Sequence, residues 1–317
     1  MLDTVFYFML NMSITSCFVI AALLLARQVR PLPRRIVYPL WALAAFRLVT
    51  PFALPTSWSL FNFTGGLVKR LITVETITQG TAPAPGSGSL LTMNMVGAAV
   101  QYAPVEYRTE TLRQSFQAAS AAWAIVAAAL LAIVIAFNIL ARKELKDAIH
   151  IGGGIYRSDK LLSPVLAGLA RPRIILPASI GPDSAECRMV LAHENVHRRR
   201  LDNLWRLSMA CVACIHWFNP LAWAMLKAFL DDMELSCDES VIREYTAEER
   251  KAYAKALLRF AEGKRPSASA AFGHSGVKAR IAGVLNYKRL TVIGAVASSL
   301  FLLAIAAALI TNPQIQG

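Results

Sequence analysis

Four long apolar runs constrain this chain more than any other feature of its sequence. Residues 4–26, 118–141 and 290–310 carry no charged side chain, and residues 36–53 carry only Arg47. Each run is close to the roughly 20 residues that a helix needs to cross the hydrocarbon core of a bilayer. Charged residues are only 17% of the chain, against about 25% in an ordinary soluble domain. The sequence therefore predicts a mainly α membrane protein with four transmembrane helices.

Basic residues beside the runs predict their orientation, because cytoplasmic loops collect Lys and Arg. The short loop 27–35 holds four arginines, and further basic residues follow the third run and precede the fourth. We therefore expect an outside N-terminus, an outer loop over 54–117 and a cytoplasmic domain over 142–289. Residues 290–317 would form the fourth transmembrane helix and a short outer tail. Arg47 is predicted to reach the membrane interface by snorkelling.

The net charge of +13 raises the question of nucleic acid binding. No helix-turn-helix or zinc-finger spacing is present, and the charges that set membrane topology account for the excess. We expect the lipid bilayer as a partner and no direct nucleic acid binding. Transport is a further alternative, but apart from Arg47 the runs contain no ionisable residue that would mark a pathway.

A shorter apolar stretch, residues 204–230, interrupts the cytoplasmic segment and is broken at Asn219-Pro220. Each half is about 11 to 15 residues long, or at most about 22 Å of helix, which is short for a full crossing. The stretch is either a helical hairpin that dips into the membrane or a pair of buried core helices. The sequence leaves both open.

The clearest chemical motif is His193-Glu194-Asn195-Val196-His197, inside a helix predicted over 183–200. Asp183 or Ser184 can cap this helix. Four-residue spacing places both imidazoles on one helical face, where they can bind one ion, while Glu194 lies beside the water that the ion carries. This motif predicts zinc-dependent hydrolysis.

A catalytic zinc usually has three protein ligands and one open position. His150, His216, Cys237 and several carboxylates are candidates for the third ligand. In a second predicted helix, Glu234 and Asp238 lie four residues apart on one face. This arrangement resembles the thermolysin-like, or gluzincin, pattern, in which a helical Glu ligates zinc and an acid four residues later accepts the N–H of a ligand histidine.

Longer segments resemble the membrane metallopeptidase domain of the BlaR/MecR-type β-lactam sensor and antirepressor proteases. The resemblance covers most of the chain and includes the four runs and the zinc helix. The other matching segments are Arg47-Leu48, Ser163-Pro164 with Gly168, 172–177, Arg200 with Asp202, 216–221 and 234–239.

The resemblance implies a cytoplasmic α+β gluzincin-like zinc peptidase domain between the third and fourth spans. His193, His197 and Glu234 would hold one Zn²⁺ per chain, with Glu194 as the general base. Asp238 and Asp202 would support the ligand histidines.

The implied activity is that of a zinc metalloendopeptidase at the inner face of a bacterial cytoplasmic membrane. It would signal by cleaving itself, a cytoplasmic DNA-binding repressor, or both, and it could act as a homo-oligomer. Self-cleavage would suit the Ser/Ala/Gly-rich stretch 266–276. We expect no direct β-lactam sensing, because the chain stops at Gly317 and has no C-terminal penicillin-binding sensor domain.

Two further expectations concern the same domain. Residues 163–177 are predicted to form a β-hairpin with an extended segment 174–176, and this hairpin could align a substrate by adding a strand to its edge. The alternative function is a non-catalytic signalling or scaffold membrane protein with a structural zinc, which would require a fourth protein ligand such as Cys237.

Overall fold

The computed structural model describes residues 2–28, 32–50, 54–56, 110–145, 147–262, 276–289 and 311–313, together with Gly294, Val296 and Leu300. The helices of the described chain are α1 Leu2–Ala26, α2 Arg34–Val37, α3 Trp41–Val49, α4 Glu110–Glu144, α5 Ala185–Arg200, α6 Asp202–Ile215, α7 Pro220–Val241, α8 Ala247–Glu262 and α9 Val277–Leu285, with 3-10 turns at Tyr38–Leu40 and Ile242–Glu244. The strands are β1 Leu54–Thr56, β2 Ile149–Gly152, β3 Ile155–Ser158, β4 Val165–Ala167, β5 Arg173–Pro177 and β6 Thr311–Pro313. The protein is mostly helical, with a small mixed sheet.

Two of the described helices are long and apolar enough to cross a membrane, α1 and the 114–143 part of α4. Only 11% of the apolar window of α4 is buried, so most of its Ala, Ile and Leu side chains face outward, as they do in a lipid-facing helix. Most of the fourth run, 290–310, lies outside the described residues. So do most of the predicted outer loop 54–117 and the stretch 263–275.

The second apolar run forms a broken helix, because Pro39 lies in a 3-10 turn between α2 and α3. Trp41, Ala44 and Leu48 are all 0% exposed. Arg47 follows Ala44 by three residues and lies next to Leu48, so it shares the buried side of α3. It is only 3% exposed. The prediction that Arg47 snorkels to the interface is therefore wrong: α3 packs this side against the protein.

The stretch 204–230 forms a helical hairpin, α6 and α7, with its turn at the predicted Asn219-Pro220 break. Its apolar side chains form one core cluster with α1 and α3. A second cluster joins Ala210 and Cys214 of α6 to Val134 of α4. The hairpin therefore packs directly against both candidate spans.

Several polar groups at the tip of this hairpin are bound by the surrounding helices. The Asn219 amide caps α7 by accepting from Leu221 N at 2.9 Å, and it donates to Ser13 Oγ of α1 at 2.8 Å. His216 Nε2 donates to the Leu48 carbonyl at 3.0 Å. Trp123 of α4 donates to the Ile215 carbonyl at 2.8 Å. Each of these contacts joins the tip to a different helix.

The opposite end of α7 is held by carboxylates. Asp232 is 0% exposed, and it accepts hydrogen bonds from Trp41 Nε1 and Arg27 Nε, each at 2.9 Å. Glu239 accepts from the backbone N–H groups of Arg34 and Arg35 at 2.9 and 3.1 Å. These bonds fix the segment between α1 and α3 on α7.

The small sheet has the order β2-β3-β5-β4, with β3 and β5 parallel and both outer pairs antiparallel. Three consecutive glycines, 152–154, have positive φ at the β2–β3 turn, a conformation that side chains other than glycine rarely adopt. On the sheet, Ile174 and Leu176 pack against Cys187 and Val190 of α5. The sheet thus supports the helix that carries the histidine motif.

The sheet order confirms the predicted 163–177 hairpin and limits how it could align a substrate. Strand β5 lies between β3 and β4, so residues 174–176 have no free edge for a substrate. Beside β4, Asn203 Nδ2 donates to the carbonyls of Leu166 and Gly168 at 2.7 and 3.0 Å. Alignment of a substrate along this hairpin would have to use the edge of β4, and it stays a prediction.

We expect Asp232→Asn to lower the free energy of unfolding by about 3 kcal/mol, because it removes one member of a buried ion pair. Reversible unfolding in mixed micelles measures this loss. Glu248→Gln is the control: Glu248 pairs with Lys251, and the two side chains are 82% and 61% exposed, so the loss of this pair should cost less than about 1 kcal/mol. Equal losses in the two variants would contradict the assigned role of Asp232.

Candidate metal centre

The histidine motif lies in α5, whose start is fixed by a side-chain cap. Ser184 Oγ accepts a hydrogen bond from Cys187 N at 3.0 Å, as expected of a serine N-cap. One helical turn separates His193 from His197, and their Nε2 atoms are 3.1 Å apart. Both imidazoles therefore offer a nitrogen to the same point in space.

Helix α7 brings Glu234 to the same point. Glu234 Oε2 lies 3.7 Å from His193 Nε2 and 3.8 Å from His197 Nε2. Ligand atoms about 2.1 Å from a tetrahedral zinc lie roughly 3.4 Å from one another. The three donor atoms have mutual distances of 3.1 to 3.8 Å, so this donor set fits a zinc ion, although metal binding itself stays a prediction.

The imidazole of His197 is oriented by Asp202. Leu201 joins α5 to α6 in the left-handed region, with φ 54°, and this sharp turn returns the chain towards His197. His197 Nδ1 then lies 2.6 Å from Asp202 Oδ2. Because Nδ1 donates to the carboxylate, the lone pair of Nε2 is left for a metal ion.

Asp202 also joins this histidine to the N-terminal helices. Its other oxygen accepts from the Tyr38 hydroxyl at 2.9 Å, and Arg200 NH2 donates to Oδ2 at 2.7 Å. The carboxylate is 0% exposed. Its position is therefore fixed from three directions.

His193 is oriented through a tyrosine of α8. The Tyr253 hydroxyl donates to Asp238 Oδ1 at 2.7 Å and lies 2.8 Å from His193 Nδ1. Because this hydroxyl uses its proton on Asp238, it accepts the proton of His193 Nδ1, and Nε2 is the ring nitrogen that faces the other donor atoms. Asp238 Oδ1 is itself 3.3 Å from His193 Nδ1. The two acids predicted to support the histidines thus each lie beside one of them.

A buried arginine of α9 holds the acids of α7. Arg280 contacts Asp238 through Nε and NH2, each at 2.7 Å. Its NH1 lies 3.1 Å from Glu234 Oε2. On the other side, Arg206 NH2 donates to Glu234 Oε1 at 3.3 Å. Both oxygens of Glu234 are therefore positioned by cations from neighbouring helices.

The charges of the site favour a cation between the imidazoles. Burial alone would lower the pKa of His197, but its negatively charged neighbours raise that pKa to about 10. Burial opposes ionisation of Asp238, yet Arg280 and His193 bring the pKa of its carboxyl to about 2. Burial also opposes ionisation of Glu234, but Arg280 and His197 hold its pKa well below the usual value. A divalent ion supplies the positive charge that this environment stabilises.

Cys237 also comes close to the two imidazoles. Its Sγ lies 3.4 Å from His193 Nδ1, and the ligand atoms of His193, His197 and Cys237 lie within 4.8 Å of one another. Burial raises the pKa of this thiol, but the two imidazoles outweigh burial and lower it. The pair of histidines thus has a sulfur as well as a carboxylate within reach.

The other histidines considered as third ligands lie elsewhere. His216 is 1% exposed at the hairpin tip, and His150 packs on Tyr156 of the sheet. Sequence reasoning missed Tyr253 and Arg280, which lie 60 and 87 residues after His193. A single tyrosine or arginine carries no spacing signal, so only the fold could reveal them.

Comparison with known proteins identifies a matching family and several relatives of this chain. A family model described as BlaR1 peptidase M56 matches residues 7–284. The regulatory protein BlaR1 of Bacillus licheniformis is 31% identical over 167 residues, which are 50% of this chain and 28% of that protein. The methicillin resistance mecR1 protein of Staphylococcus aureus is 24% identical over 104 residues, 32% of this chain and 18% of the relative. The chain thus spans less than a third of the length of either relative.

We expect Tyr253→Phe to weaken zinc binding about tenfold, because His193 loses the group that orients its ring. Competition with a chromogenic chelator measures the affinity of the purified chain. Tyr245→Phe is the control, since Tyr245 lies in the same cluster, 6.2 Å from the Tyr253 ring, but its hydroxyl contacts neither histidine. Unchanged affinity in Tyr253→Phe would remove the tyrosine from the site.

Proposed function

The chain belongs to the BlaR1 peptidase M56 family, and we propose that it is a membrane-embedded zinc metalloendopeptidase acting on the cytoplasmic side of a bacterial cytoplasmic membrane. The observation that carries this proposal is the donor set of His193, His197 and Glu234, with mutual distances of 3.1 to 3.8 Å. Three protein ligands leave the fourth position of a tetrahedral ion open, as catalytic zinc requires.

The proposed chemistry is hydrolysis of a peptide bond. Zinc, when bound by these three residues, lowers the pKa of a water molecule and polarises the scissile carbonyl. Glu194 accepts the proton of the attacking water and transfers it to the leaving amine. Glu194 is partly exposed on the same helix as the two histidines. Throughout the reaction, Asp202 holds the Nδ1 proton of His197 and Tyr253 holds the Nδ1 proton of His193, so that the Nε2 atoms face the metal.

We propose the four-span topology for this enzyme, with α1, the broken 36–53 segment, α4 and the run 290–310 as spans. Strands β1 and β6 support it, because Leu54 pairs with Thr311. The chain leaves the second run at Leu54 and the fourth run at Thr311. These two runs therefore end on the same side, as the charge-based topology requires.

The α6–α7 hairpin would enter the membrane beside α1 and α4. Backbone polar groups in hydrocarbon must find partners inside the protein. The tip meets this condition, because Trp123 binds the Ile215 carbonyl and His216 binds the Leu48 carbonyl. Ser13, the partner of Asn219, lies 13 residues from the end of α1, or about 20 Å along the helix. The hairpin would thus reach about two thirds of the way through the roughly 30 Å hydrocarbon core.

The biological role that we propose is signalling by self-cleavage, cleavage of a cytoplasmic DNA-binding repressor, or both. The names of the relatives, a regulatory protein and a methicillin resistance protein, support a regulatory role. Self-cleavage in 266–276 is supported by its flanks, because the preceding helix α8 carries Tyr253 and the following helix α9 carries Arg280, and both residues contact the site. A homo-oligomer would allow one copy to cleave another.

A second candidate is a non-catalytic signalling protein with a structural zinc. Cys237 favours it, because a thiolate as fourth ligand would close the site. The position of its sulfur argues for the catalytic alternative: it lies 3.4 Å from His193 Nδ1, the nitrogen that faces Tyr253. The sulfur is thus beside the ring nitrogen that faces away from the proposed ion.

We expect Glu194→Ala to retain one zinc per chain and to cleave nothing, because the ligands remain while the proton acceptor is lost. Metal analysis of the purified protein gives the zinc content. Mass spectrometry of membranes co-expressing wild type or variant with neighbouring candidate repressors gives the cleavage products.

Glu186→Ala is the matched control for this experiment. Glu186 lies on the same helix but pairs with Arg259 at 2.8 Å, away from the histidines. This variant should cleave normally. An active Glu194→Ala protein would refute the proposed mechanism. An inactive Glu186→Ala protein would show that loss of cleavage reflects a destabilised helix and not the loss of the proton acceptor.

We expect Cys237→Ala to retain one metal ion and to cleave its substrate. In the cobalt-substituted wild type we expect no thiolate-to-cobalt charge-transfer absorption. Two results together would support the structural site with four ligands: a strong charge-transfer band in the cobalt-substituted wild type, and loss of both this band and metal binding in Cys237→Ala.

A further inference from the structure

A basic pocket lies apart from the metal centre. Its cavity of about 230 Å³ is lined by Arg35, Arg243, Glu244, Tyr287 and Arg289. Three guanidinium groups face one carboxylate, which leaves the lining with an excess of two positive charges. None of the described carboxylates forms an ion pair with Arg35, Arg243 or Arg289. Glu239 interacts electrostatically with Arg35, but within the lining itself positive charge still exceeds negative charge.

The walls of the pocket are fixed by bonds made elsewhere. The backbone N–H of Arg35 donates to Glu239 Oε2 at 3.1 Å. Arg250 NH1 donates to the Tyr287 carbonyl at 2.9 Å. Arg243 follows Ile242, which is 1% exposed in a core cluster. A site whose lining is already ordered loses little conformational entropy when it binds a ligand.

The position of the pocket indicates where its ligand comes from. Arg35 lies between α1 and α3, just before the second apolar run. Arg289 is the last residue before the run 290–310. The pocket thus lies where apolar segments meet the basic residues that flank them, and this is the level at which phospholipid headgroups lie.

We propose that this pocket binds one phosphate-bearing anion. Guanidinium groups form paired, charge-assisted hydrogen bonds with phosphate oxygens. Sites for drug-sized ligands have volumes of about 300 to 1,000 Å³, so this smaller cavity suits a single phosphate with a small substituent. The ligand is either the headgroup of an anionic phospholipid or free phosphate, and the chemistry that recognises it is the same.

The pocket also joins two elements of the metal centre. Arg243 follows α7, which carries Glu234 and Asp238, while Tyr287 and Arg289 follow α9, which carries Arg280. An anion bound between them would hold the ends of these two helices together. The proposal does not depend on the peptidase activity, because it concerns binding alone.

The test compares the full wild-type chain in detergent with a double variant of the pocket, in which Arg243→Gln and Arg289→Gln are combined. In one arm, native mass spectrometry measures retention of phosphatidylglycerol against phosphatidylcholine. In the other arm, thermal unfolding measures stabilisation by inorganic phosphate. The charge-matched control is Arg188→Gln with Lys255→Gln, since both of these residues are exposed outside the pocket. The melting temperature in phosphatidylcholine shows whether each variant is folded. If the double variant unfolds, the single variant Arg243→Gln takes its place.

We expect wild type and control to bind the anion at least about tenfold more tightly than the pocket variant, because each lost charge-assisted bond weakens binding by about that factor. A difference in the phosphatidylglycerol arm identifies the lipid headgroup as the ligand. A difference in the inorganic phosphate arm alone identifies free phosphate. If neither arm separates the pocket variant from its control, the proposed site is overturned.

Discussion

Three carboxylates on α6 and α7 hold this molecule in one arrangement, because their partners lie in the segment that joins α1 to α3. Asp202 binds Tyr38, Asp232 binds Trp41 and Arg27, and Glu239 binds the backbone N–H groups of Arg34 and Arg35. Apolar contact alone specifies helix packing poorly in a membrane, since lipid tails are as apolar as leucine side chains. Directional bonds to charged groups fix the register instead. The N-terminal helices and the metal centre are consequently parts of one packed unit.

The metal centre depends on two different regions of the protein, one for each imidazole. His197 is oriented by Asp202 and, through Tyr38, by the N-terminal helices. His193 is oriented by Tyr253 of α8, and the Asp238 that accepts from this tyrosine is bound by Arg280 of α9. The two imidazoles are thus oriented by separate sets of contacts.

The sequence was most informative where a rule concerns neighbouring residues. Charge-free runs predicted α1 and α4, the Ser184 cap predicted the start of α5, and Asn219-Pro220 predicted the hairpin turn. The four-residue spacing put Glu234 and Asp238 on one helical face, and their place beside the histidines was implied by the family resemblance. Features that depend on distant segments were missed or mistaken. Arg47 was assigned to the interface although it packs inside, strand β5 lies in the middle of its sheet, and Tyr253 and Arg280 reach His193 only through the tertiary fold.

The hairpin tip also has a consequence for how the chain is made. Asn219 donates to Ser13, which lies 206 residues earlier, and His216 donates to Leu48. The ribosome completes both acceptors before it reaches the hairpin, so the polar tip meets its partners as soon as it emerges. A circular permutant that began after α4 would reverse this order. In such a permutant the tip amide and imidazole would be made before their acceptors existed.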